Sequence, residues 1–374
     1  MKQFFYADNA ATTQLDSDAF EAMKPYLLSE YGNASQPYSF SRTARKALKE
    51  SRETIAQCIG ATPEEIFFTS GGTESDNWAI KGSAFSDADK RTTLTSAIEH
   101  HAILRACESI ERLGYPVTYL PVDSTGTVQP DFLSARITSR TRLVSVMLAN
   151  NEIGSIQDIA ALSEIAHSHN ALFHTDAVQA VGHLDIDVNV LGVDMLSASA
   201  HKFNGPKGVG FLYIRKGTPM TAYANGGAQE FGMRAGTENI ASIVGMATAL
   251  KKNCELLHTT NDCLLSLERQ LITALDASGI EFRQNGSQTH IPGNISLSFP
   301  DRDGEALLHR LDLMGICVST GSACDSRNTQ ISHVLQAIGL EERYAKGTIR
   351  ISLGKDNTVS EVDFIANALI KILK

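Results

Sequence analysis

A lysine at the end of an apolar run is the candidate for the chemistry of this chain. Residues 194–210 read DMLSASAHKFNGPKGVG, in which the apolar run ends in small residues before His201 and Lys202. A lysine that leaves an apolar segment loses hydration, so its pKa falls and its neutral amine can attack a carbonyl. Such an amine can hold an aldehyde cofactor covalently. A solvated lysine at a strand end is the alternative, because most lysines are exposed.

An acid at another strand end supplies a second part of such a site. A pyridine cofactor that acts as an electron sink needs a lysine, an acid that keeps its ring nitrogen protonated, and a cup for its phosphate. Asp176 ends the segment ALFHTD and can pair with a ring nitrogen, while Gln179 follows it and can reach a phenolic oxygen. Asp176 as a helix cap is the alternative, but the lysine two segments later favours the first interpretation.

A glycine turn supplies the third part. The stretch IFFTSGGTESDNWAIKGSAF at 66–85 reads as a short strand, two glycines and the start of a helix. Glycines let the backbone approach a ligand, and the unpaired amides at a helix N-terminus attract an anion such as phosphate. The turn has neither the GxGxxG nor the GxxxxGKS/T spacing, so neither a dinucleotide nor a nucleoside triphosphate is indicated. An ordinary connection of an α/β fold is the alternative.

His100 and Arg350 are further candidates. His100 opens a helix at a strand end, where an imidazole can stack on a flat ring or transfer a proton near neutral pH. Arg350, in the strand TIRISLG, can bind a substrate carboxylate through two hydrogen bonds, although a lone strand arginine is usually structural. The six cysteines include no CxxC pair, so the sequence predicts neither a metal site nor a disulfide framework.

The elements that must position these residues follow from the hydrophobic pattern. Apolar strands and helical stretches alternate, which predicts a parallel sheet with helices on both faces. Ligands collect beyond the carboxyl ends of such strands. Polar clusters follow five of these strands: SGGTES at 70–75, EHHA at 99–102, NNEIG at 150–154, HTDAVQ at 174–179 and SASAHK at 197–202. We therefore expect all five clusters to form one site.

The length of the chain, 374 residues, exceeds that of a single core, so we expect a large and a small domain. After VGFLYIR and a second strand before GGAQEFGMRAGTEN, a helical pattern runs from Asn239 to about Leu257, and we place the domain change there. The large domain is predicted to span 15–257. The small α/β domain is predicted to combine 1–14 with 258–374.

Composition excludes several classes of protein. The hydrophobic share of 43% and the absence of any run of 18 apolar residues argue against membrane insertion. A net charge of −9 with intermixed signs argues against a nucleic-acid surface, which needs clustered lysine and arginine. Asp8 and Asn9 interrupt the apolar run at the start of the sequence, so no signal peptide is indicated and we expect a cytoplasmic protein.

Several stretches together are typical of one family. They are ADNAATT at 7–13, TSGGTESDN at 69–77, EHHA, NNEIGSIQDI at 150–159, HTDAVQAVG, SASAHKFNGPKGVG, GMRAGTEN, STGSAC at 319–324 and TIRISLG. The chain resembles the cysteine desulfurases of the NifS and IscS kind, in the class V aminotransferase group of pyridoxal-phosphate enzymes. The resemblance implies fold type I, in which a mainly parallel seven-stranded sheet flanked by helices forms the large domain and a smaller α/β domain follows.

The resemblance also implies roles for the residues that match the family's motifs. Lys202 matches the lysine that binds pyridoxal 5'-phosphate, Asp176 the partner of the pyridine nitrogen, and His100 the histidine stacked on the ring. The remaining matches are Gln179 near the phenolic oxygen; Gly72, Thr73, Ser199 and His201 in the phosphate cup; Thr237, lent to the cup by the partner subunit of a dimer; and Asn151 and Arg350, which hold the substrate carboxylate.

Cys324 matches the nucleophilic cysteine of that family. It lies in GSACDSRNTQ, a polar loop in which a thiolate can be exposed and mobile, whereas Cys317 lies in the apolar run GICVS and is interpreted as buried. The chain departs from the family at Phe231, where a basic residue is expected. The missing positive charge is expected to alter the rim of the cofactor site, the dimer contact or the choice of partner protein.

The resemblance implies removal of sulfur from L-cysteine, with release of L-alanine and a persulfide left on Cys324. It further implies a homodimer and a sulfur-acceptor protein, such as an iron–sulfur scaffold or a thiolation enzyme. Two alternatives stay open. One is a selenocysteine lyase or an aminotransferase on the same scaffold, and the other is a sulfur-relay scaffold without catalysis.

Overall fold

The computed structural model describes residues 4–320 and 331–374. The helices are α1 Ser17–Leu28, α2 Arg42–Cys58, α3 Gly72–Ala84, α4 His101–Glu111, α5 Pro130–Ser134, α6 Ile159–Ser168, α7 Val188–Leu191, α8 Ile240–Ser278, α9 Gly304–Leu313, α10 His333–Ala337, α11 Glu342–Ala345 and α12 Val359–Leu373. The strands are β1 Phe5–Tyr6, β2 Ile66–Thr69, β3 Thr92–Ser96, β4 Val117–Leu120, β5 Thr141–Ser145, β6 Leu172–Asp176, β7 Met195–Ser199, β8 Gly210–Ile214, β9 Arg283–Gln284, β10 Asn294–Ser298, β11 Ile316–Cys317 and β12 Thr348–Ser352.

The main sheet has seven strands in the order β2-β8-β7-β6-β5-β3-β4. β8 runs antiparallel to both of its neighbours, and the other pairs are parallel. β5, β6 and β7 are buried almost throughout, as expected when helices cover both faces of a parallel sheet. The α/β class and the mainly parallel seven-stranded sheet predicted from the sequence are confirmed.

A second apolar core forms at the C-terminal part of the chain. β12, β10 and β9 make an antiparallel sheet, and β1 pairs with β11, so the N-terminal strand joins this smaller layer. Leu271, Ile295 and Ile349 belong to this core, which is separate from the one under the main sheet. The boundaries proposed at 15–257 and 258–374 stay a prediction.

The helix predicted to end near Leu257 is longer than expected. α8 continues without a break to Ser278. Its first turns bury Met246 and Leu250 in the large core, and its last turns bury Leu267 and Leu271 in the small one. Because the apolar residues keep helical spacing across both cores, nothing interrupts the helix between them.

The prediction of a strand before GGAQEFGMRAGTEN is wrong. In the described chain, residues 216–225 contribute only an isolated bridge between Ala224 and Arg234. Their carbonyl groups accept hydrogen bonds from side chains instead, because Pro219 O binds Arg142 at 3.0 Å and Thr221 O binds the Trp78 indole at 3.0 Å. Proline also removes a donor that a strand ladder would use.

A buried ion pair joins α2 to the loop before α8. Arg52 Nη2 lies 2.7 Å from Glu230 Oε1, and Arg52 also donates to Ile66 O at the start of β2. Glu230 Oε2 accepts from the Phe68 amide at 2.8 Å. Both side chains are at most 10% exposed, so each charge depends on the other for compensation.

We expect Arg52→Ala to destabilise the protein strongly, because it leaves the Glu230 carboxylate buried and unpaired. The free energy of unfolding should fall by about 3–5 kcal/mol, which lowers Tm by about 4–6 °C for a chain of this length. Thermal unfolding followed by circular dichroism measures the shift. Lys46→Ala is the control, since it removes only an exposed pair with Glu50 and should change Tm by less than about 1 °C. Equal shifts in both variants would contradict the assignment.

Asp16 ties the start of α1 to both cores. Its carboxylate lies 3.0 Å from Lys252 Nζ on α8 and 2.7 Å from Lys355 Nζ after β12, and it caps α1 by accepting from the Asp18 amide at 2.9 Å. Burial acts to raise the pKa of Asp16, but the hydrogen bonds from Lys355 and Lys252 lower it to about 2.

We expect the contribution of Asp16 to stability to vanish in acid. Its folded-state pKa lies below the unfolded value, so the stabilisation is complete above about pH 4 and is lost as pH falls through about 2. Asp16→Asn keeps the cap and should cost about 1–2 kcal/mol at pH 7 but clearly less at pH 3, as measured by urea unfolding. Asp18→Asn is the control, because Asp18 is 65% exposed. A cost of Asp16→Asn that is the same at both pH values would refute this account.

Among the described helices, none combines the length and the apolar character needed to cross a membrane.

Candidate active site

A pocket of 450 Å³ lies beyond the carboxyl ends of the central strands. Pockets that hold small ligands or cofactors typically enclose about 300–1,000 Å³. Predicted residues from all five polar clusters line it: Gly72, Thr73, His100, Asn151, Asp176, Gln179, Ser199, His201 and Lys202. The five clusters therefore lie together at one site in the structure.

Lys202 lies in a short turn of 3-10 helix directly after β7. Its Nζ donates to the backbone carbonyls of Ala10 at 2.6 Å and Ala11 at 2.8 Å. Gln179 Nε2 also donates to Ala10 O, at 3.0 Å. The N-terminal segment therefore forms one wall of the pocket. The hydrophobic pattern of that segment did not predict this position.

The N-terminus of α3 opens into the pocket. Gly71 is the N-cap and carries no side chain that could satisfy the first amides of the helix. Its φ of 146° suits glycine, and a Cβ placed on Gly72 would lie 2.6 Å from Val178 Cγ2. Glycine thus keeps the backbone close to β6 and β7, with the positive end of the helix dipole directed at the ligand space.

Asp176 lies at the end of β6 and is 4% exposed. Its Oδ1 accepts from the Val178 amide at 2.9 Å. Burial raises the pKa of Asp176 to about 6, although the Val178 amide and Lys202 both act to lower it. A carboxylate with so little compensation gains stability from a cationic ligand placed beside it.

His100 is the N-cap of α4, where its Nδ1 accepts from the Ala102 amide at 3.1 Å. Because Nδ1 is the acceptor, the proton of the neutral ring is assigned to Nε2. Burial, followed by the charge of Lys202, lowers the pKa of His100 to about 4. The ring is neutral at pH 7, which favours stacking over the proton transfer near neutral pH that the sequence left open.

His201 is also held as a neutral ring. Its Nδ1 lies 3.1 Å from Thr12 Oγ1, and Thr12 lines the pocket. Burial, then Lys202, lowers the pKa of His201 to about 4. Its backbone carbonyl accepts from the Thr13 amide at 3.0 Å, which fastens the N-terminal segment to the turn that carries Lys202.

Two buried acids lie beside Asp176, and the sequence analysis assigned a role to neither of them. Asp76 on α3 lines the pocket and is 1% exposed, and burial followed by the charge of Asp176 raises its pKa well above the usual range. Burial likewise raises the pKa of Glu99 to about 8. Burial thus disfavours the charged form of both groups.

A buried histidine connects these acids to the sheet. His174 Nδ1 lies 2.9 Å from Ser145 Oγ, and its Nε2 lies 2.9 Å from Ser197 Oγ and 3.9 Å from Asp76 Oδ1. Burial lowers the pKa of His174 to about 3, so the ring is neutral and supplies no counter-charge. In the sequence HTD of β6, His174 comes two residues before Asp176, but only the folded sheet shows that both side chains are buried.

Arg350 does not line the pocket, although it lies next to it. Its Nη1 donates to Asn151 O at 2.8 Å, and its Nη2 lies 2.7 Å from Asp8 Oδ1. Its Nε is buried and has no hydrogen-bond partner among the described residues. The predicted partners Asn151 and Arg350 are therefore neighbours, with Asp8 as a third member of the group.

Thr237, like Arg350, does not line the pocket. Thr237 is exposed, in the loop before α8. Cys324 lies outside the described residues. Its role stays a prediction from the sequence.

Phe231 lies against the buried ion pair of α2. Its ring is 5.7 Å from that of Phe67 in an edge-to-face arrangement, and the Arg52 guanidinium lies 5.2 Å from its centre. A basic residue at this position would face Arg52 with a like charge, whereas an aromatic ring attracts the guanidinium. Phe231 is 60% exposed and contributes no atom to the lining of the pocket.

Comparisons with known proteins agree on one family. Residues 5–365 match the family described as Aminotransferase class-V. Cysteine desulfurase IscS of Dictyoglomus turgidum is 47% identical over 376 residues, which cover 100% of this chain and 95% of that protein. Cysteine desulfurase IscS of Methanosarcina thermophila is 46% identical, with 99% and 92% covered.

Solved structures show the same similarity. A structure described as a NifS-like protein superposes with a TM-score of 0.94, at 39% identity and with 99% of both chains covered. A structure of SspA in complex with cysteine superposes with a TM-score of 0.83, at 34% identity, and covers 94% of this chain and 99% of that one.

Proposed function

We propose that this chain, which belongs to the aminotransferase class-V family and within it to the cysteine desulfurases, uses pyridoxal phosphate to take sulfur from L-cysteine. The products are L-alanine and a persulfide on Cys324, from which an acceptor protein collects the sulfur. The observation that carries the proposal is the convergence of Lys202, Asp176 and the open N-terminus of α3 on one pocket.

Three features of the pocket fit this cofactor. The amine of Lys202 is directed to the pocket wall and would hold the aldehyde, and the poorly compensated carboxyl of Asp176 would pair with the ring nitrogen. The amides at the start of α3, with Thr73, Ser199 and His201, would bind the phosphate. When bound, pyridoxal phosphate supplies an electron sink for the carbanion that forms at the substrate Cα.

The residues around the pocket determine which group moves the Cα proton of the substrate. Lys202 Nζ is the group of the pocket proposed to remove the Cα proton and return it, because it lines the pocket and is placed there by the carbonyl groups of Ala10 and Ala11. The pKa values of His100 and His201 are both lowered to about 4, so both rings are weak bases and compete poorly for that proton. Burial disfavours the charged forms of Asp76 and Glu99, and Asp176 at the end of β6 is proposed as the carboxylate that a ring cation would face.

Asn151 and Arg350 are proposed to hold the carboxylate of the substrate. Arg350 is anchored in β12 and is 6% exposed, so its guanidinium has a fixed position. Its present partners, Asp8 Oδ1 and Asn151 O, are both acceptors, and an incoming carboxylate is an acceptor as well. Binding of the substrate therefore requires donors of Arg350 to be shared between the carboxylate and Asp8.

The described residues on either side of 321–330 support the proposed role of Cys324. Before it, Ser319 pairs with Arg350, with the Ser319 amide 3.1 Å from Arg350 O. After it, His333 Nε2 lies 3.0 Å from Glu99 O, next to His100. The described residues on both sides of Cys324 therefore contact neighbours of the pocket residues Asn151 and His100.

A homodimer and a sulfur acceptor complete the proposal. Thr237 would contribute to the phosphate cup of the partner subunit, which agrees with its exposure away from the pocket of its own chain. Leu28 is 77% exposed and Tyr31 71% exposed, and such side chains are typical of an interface. The acceptor is proposed to be an iron–sulfur scaffold or a thiolation enzyme.

The test is an assay of alanine and sulfide from L-cysteine in the presence of a thiol reductant. Equal amounts of alanine and sulfide are expected. Faster release of selenide from selenocysteine would favour the lyase alternative, and transfer of the amino group to a keto acid without sulfide would favour an aminotransferase. A protein that stays colourless when pyridoxal phosphate is added, and forms neither product, would favour the non-catalytic scaffold.

A further inference from the structure

The segment of residues 284–294 packs against the loop after β5 that carries Asn151. Ser155 of that loop forms an antiparallel bridge with His290. The Ser155 hydroxyl also accepts from the Ser287 amide at 2.9 Å, across 132 positions of sequence. The loop is therefore attached by hydrogen bonds to a distant segment, and the conformation of that segment affects where Asn151 lies.

A buried carboxylate of α8 binds this segment at three points. Glu268 Oε1 accepts from Gln284 Nε2 at 3.1 Å and lies 2.7 Å from His290 Nε2. Glu268 Oε2 accepts from the Gly293 amide at 3.3 Å. Glu268 is only 5% exposed, so water does not replace these contacts readily. Both ends and the middle of the segment are therefore fixed to the helix that passes through both cores.

Both nitrogens of the His290 ring face acceptors. Nδ1 lies 3.0 Å from Gln288 O, and Nε2 lies 2.7 Å from the Glu268 carboxylate. Only the doubly protonated ring can donate to both acceptors at once. The hydrogen bond with Glu268 raises the pKa of His290 above its ordinary value, although burial acts in the opposite direction. In that form the ring makes a charge-assisted hydrogen bond, which is stronger than a neutral one.

The contacts of Asn151 connect this segment to the proposed substrate site. Asn151 O accepts from Arg350 Nη1 at 2.8 Å, and it lies 3.5 Å from Asn294 Nδ2. Asn294 directly follows Gly293, whose amide donates to Glu268. Release of the segment from Glu268 would therefore let the loop move relative to Arg350.

We propose that Glu268 and His290 are positioning residues, which hold the loop of residues 150–156 so that Asn151 and Arg350 can bind the substrate carboxylate. The inference deepens the proposed function and rests on it, since the carboxylate site is part of that proposal. Neither Glu268 nor His290 lines the pocket, so both act through the loop. Their removal is therefore expected to weaken the binding of L-cysteine and to spare the chemical step.

The experiment compares the wild-type holoenzyme with His290→Ala, His290→Gln and a control. KM for L-cysteine should rise by about tenfold in His290→Ala, with kcat within about twofold of the wild type. His290→Gln keeps a donor for Glu268, so KM should rise by less than about threefold. The control is His167→Ala, which removes the histidine of another histidine–carboxylate pair, with Asp194, and should change neither constant.

Amide hydrogen exchange tests the inference without catalysis. The Ile156 amide donates to Thr289 O at 3.3 Å, so exchange in a peptide that covers 150–156 reports whether the loop stays attached to the segment. Exchange of this peptide should be at least about fivefold faster in His290→Ala than in the wild type, and unchanged in His167→Ala.

Two results would overturn the inference while the proposed function stands. One is normal turnover with unchanged KM and unchanged exchange in His290→Ala, and the other is a loss confined to kcat. If His290→Ala does not fold, Gln284→Ala replaces it, because this variant removes one donor to Glu268 and leaves no charge unpaired. An unchanged KM and unchanged exchange in Gln284→Ala would then overturn the inference. A wild-type protein that forms no alanine would instead overturn the proposed function, and the role toward the substrate with it.

Discussion

Lys202→Ala is expected to lower the release of alanine from L-cysteine by about 10⁴-fold, because it removes both the group that binds the cofactor and the base that moves the Cα proton. In the structure, Lys202 Nζ reaches the pocket from the end of β7 and is placed by the carbonyls of Ala10 and Ala11. Among the described residues of the lining, the other amine is Lys207, which is exposed.

The same variant should change the spectrum of the protein. Wild-type protein is expected to carry an absorbance band at the edge of the visible range that borohydride abolishes, and Lys202→Ala should lack it. Lys216→Ala is the matched control, because Lys216 is exposed at the far end of β8 and should leave both the band and the rate unchanged. Wild-type activity in Lys202→Ala, or loss of the band in Lys216→Ala, would exclude the proposed role.

Cys324→Ser is expected to stop the release of sulfide, with a decrease of at least about 10³-fold, while the cofactor band stays as in the wild type. A hydroxyl group at this position cannot carry a persulfide, because serine has no sulfur and is a far weaker nucleophile than a thiolate. The measurement combines sulfide release with mass spectrometry of the intact protein, in which only the wild type should gain the mass of one sulfur atom after a single turnover.

Cys317→Ser is the control for this prediction. Cys317 lies in β11, two residues before Ser319, and is half-buried, not buried as the sequence predicted; it is near the predicted loop but not part of it. Its replacement should leave the rate within about twofold of the wild type. If Cys324→Ser still formed a persulfide and Cys317→Ser did not, the nucleophile would have to be reassigned to Cys317.

Motifs at strand ends were enough to find the site, because parallel strands carry their carboxyl ends to one edge of a sheet. Asp176 and Lys202 are the clearest example. Asp176 pairs with Ser197 in the register of β6 and β7, which sets Lys202 a few residues beyond the end of the neighbouring strand. Spacing alone implied two consecutive strands, and the sheet makes them adjacent.

The protonation states of the ionisable groups at the pocket could not be predicted from the sequence. The types of Asp76, Glu99 and Asp176 are visible in the sequence, but their protonation depends on burial and on mutual repulsion, which arise only when the chain is folded. The same holds for His100, whose pKa of about 4 decides between stacking and proton transfer.

The α/β class, the family and the candidate lysine and acid could all be predicted from the amino-acid sequence, because they depend on local pattern and on motifs that each occupy a few consecutive residues. The length of α8 and the Asp8–Arg350 pair appear only in the folded chain. These features join positions far apart in the chain. The free energy that selects them comes from packing and desolvation between distant segments, to which no local pattern responds.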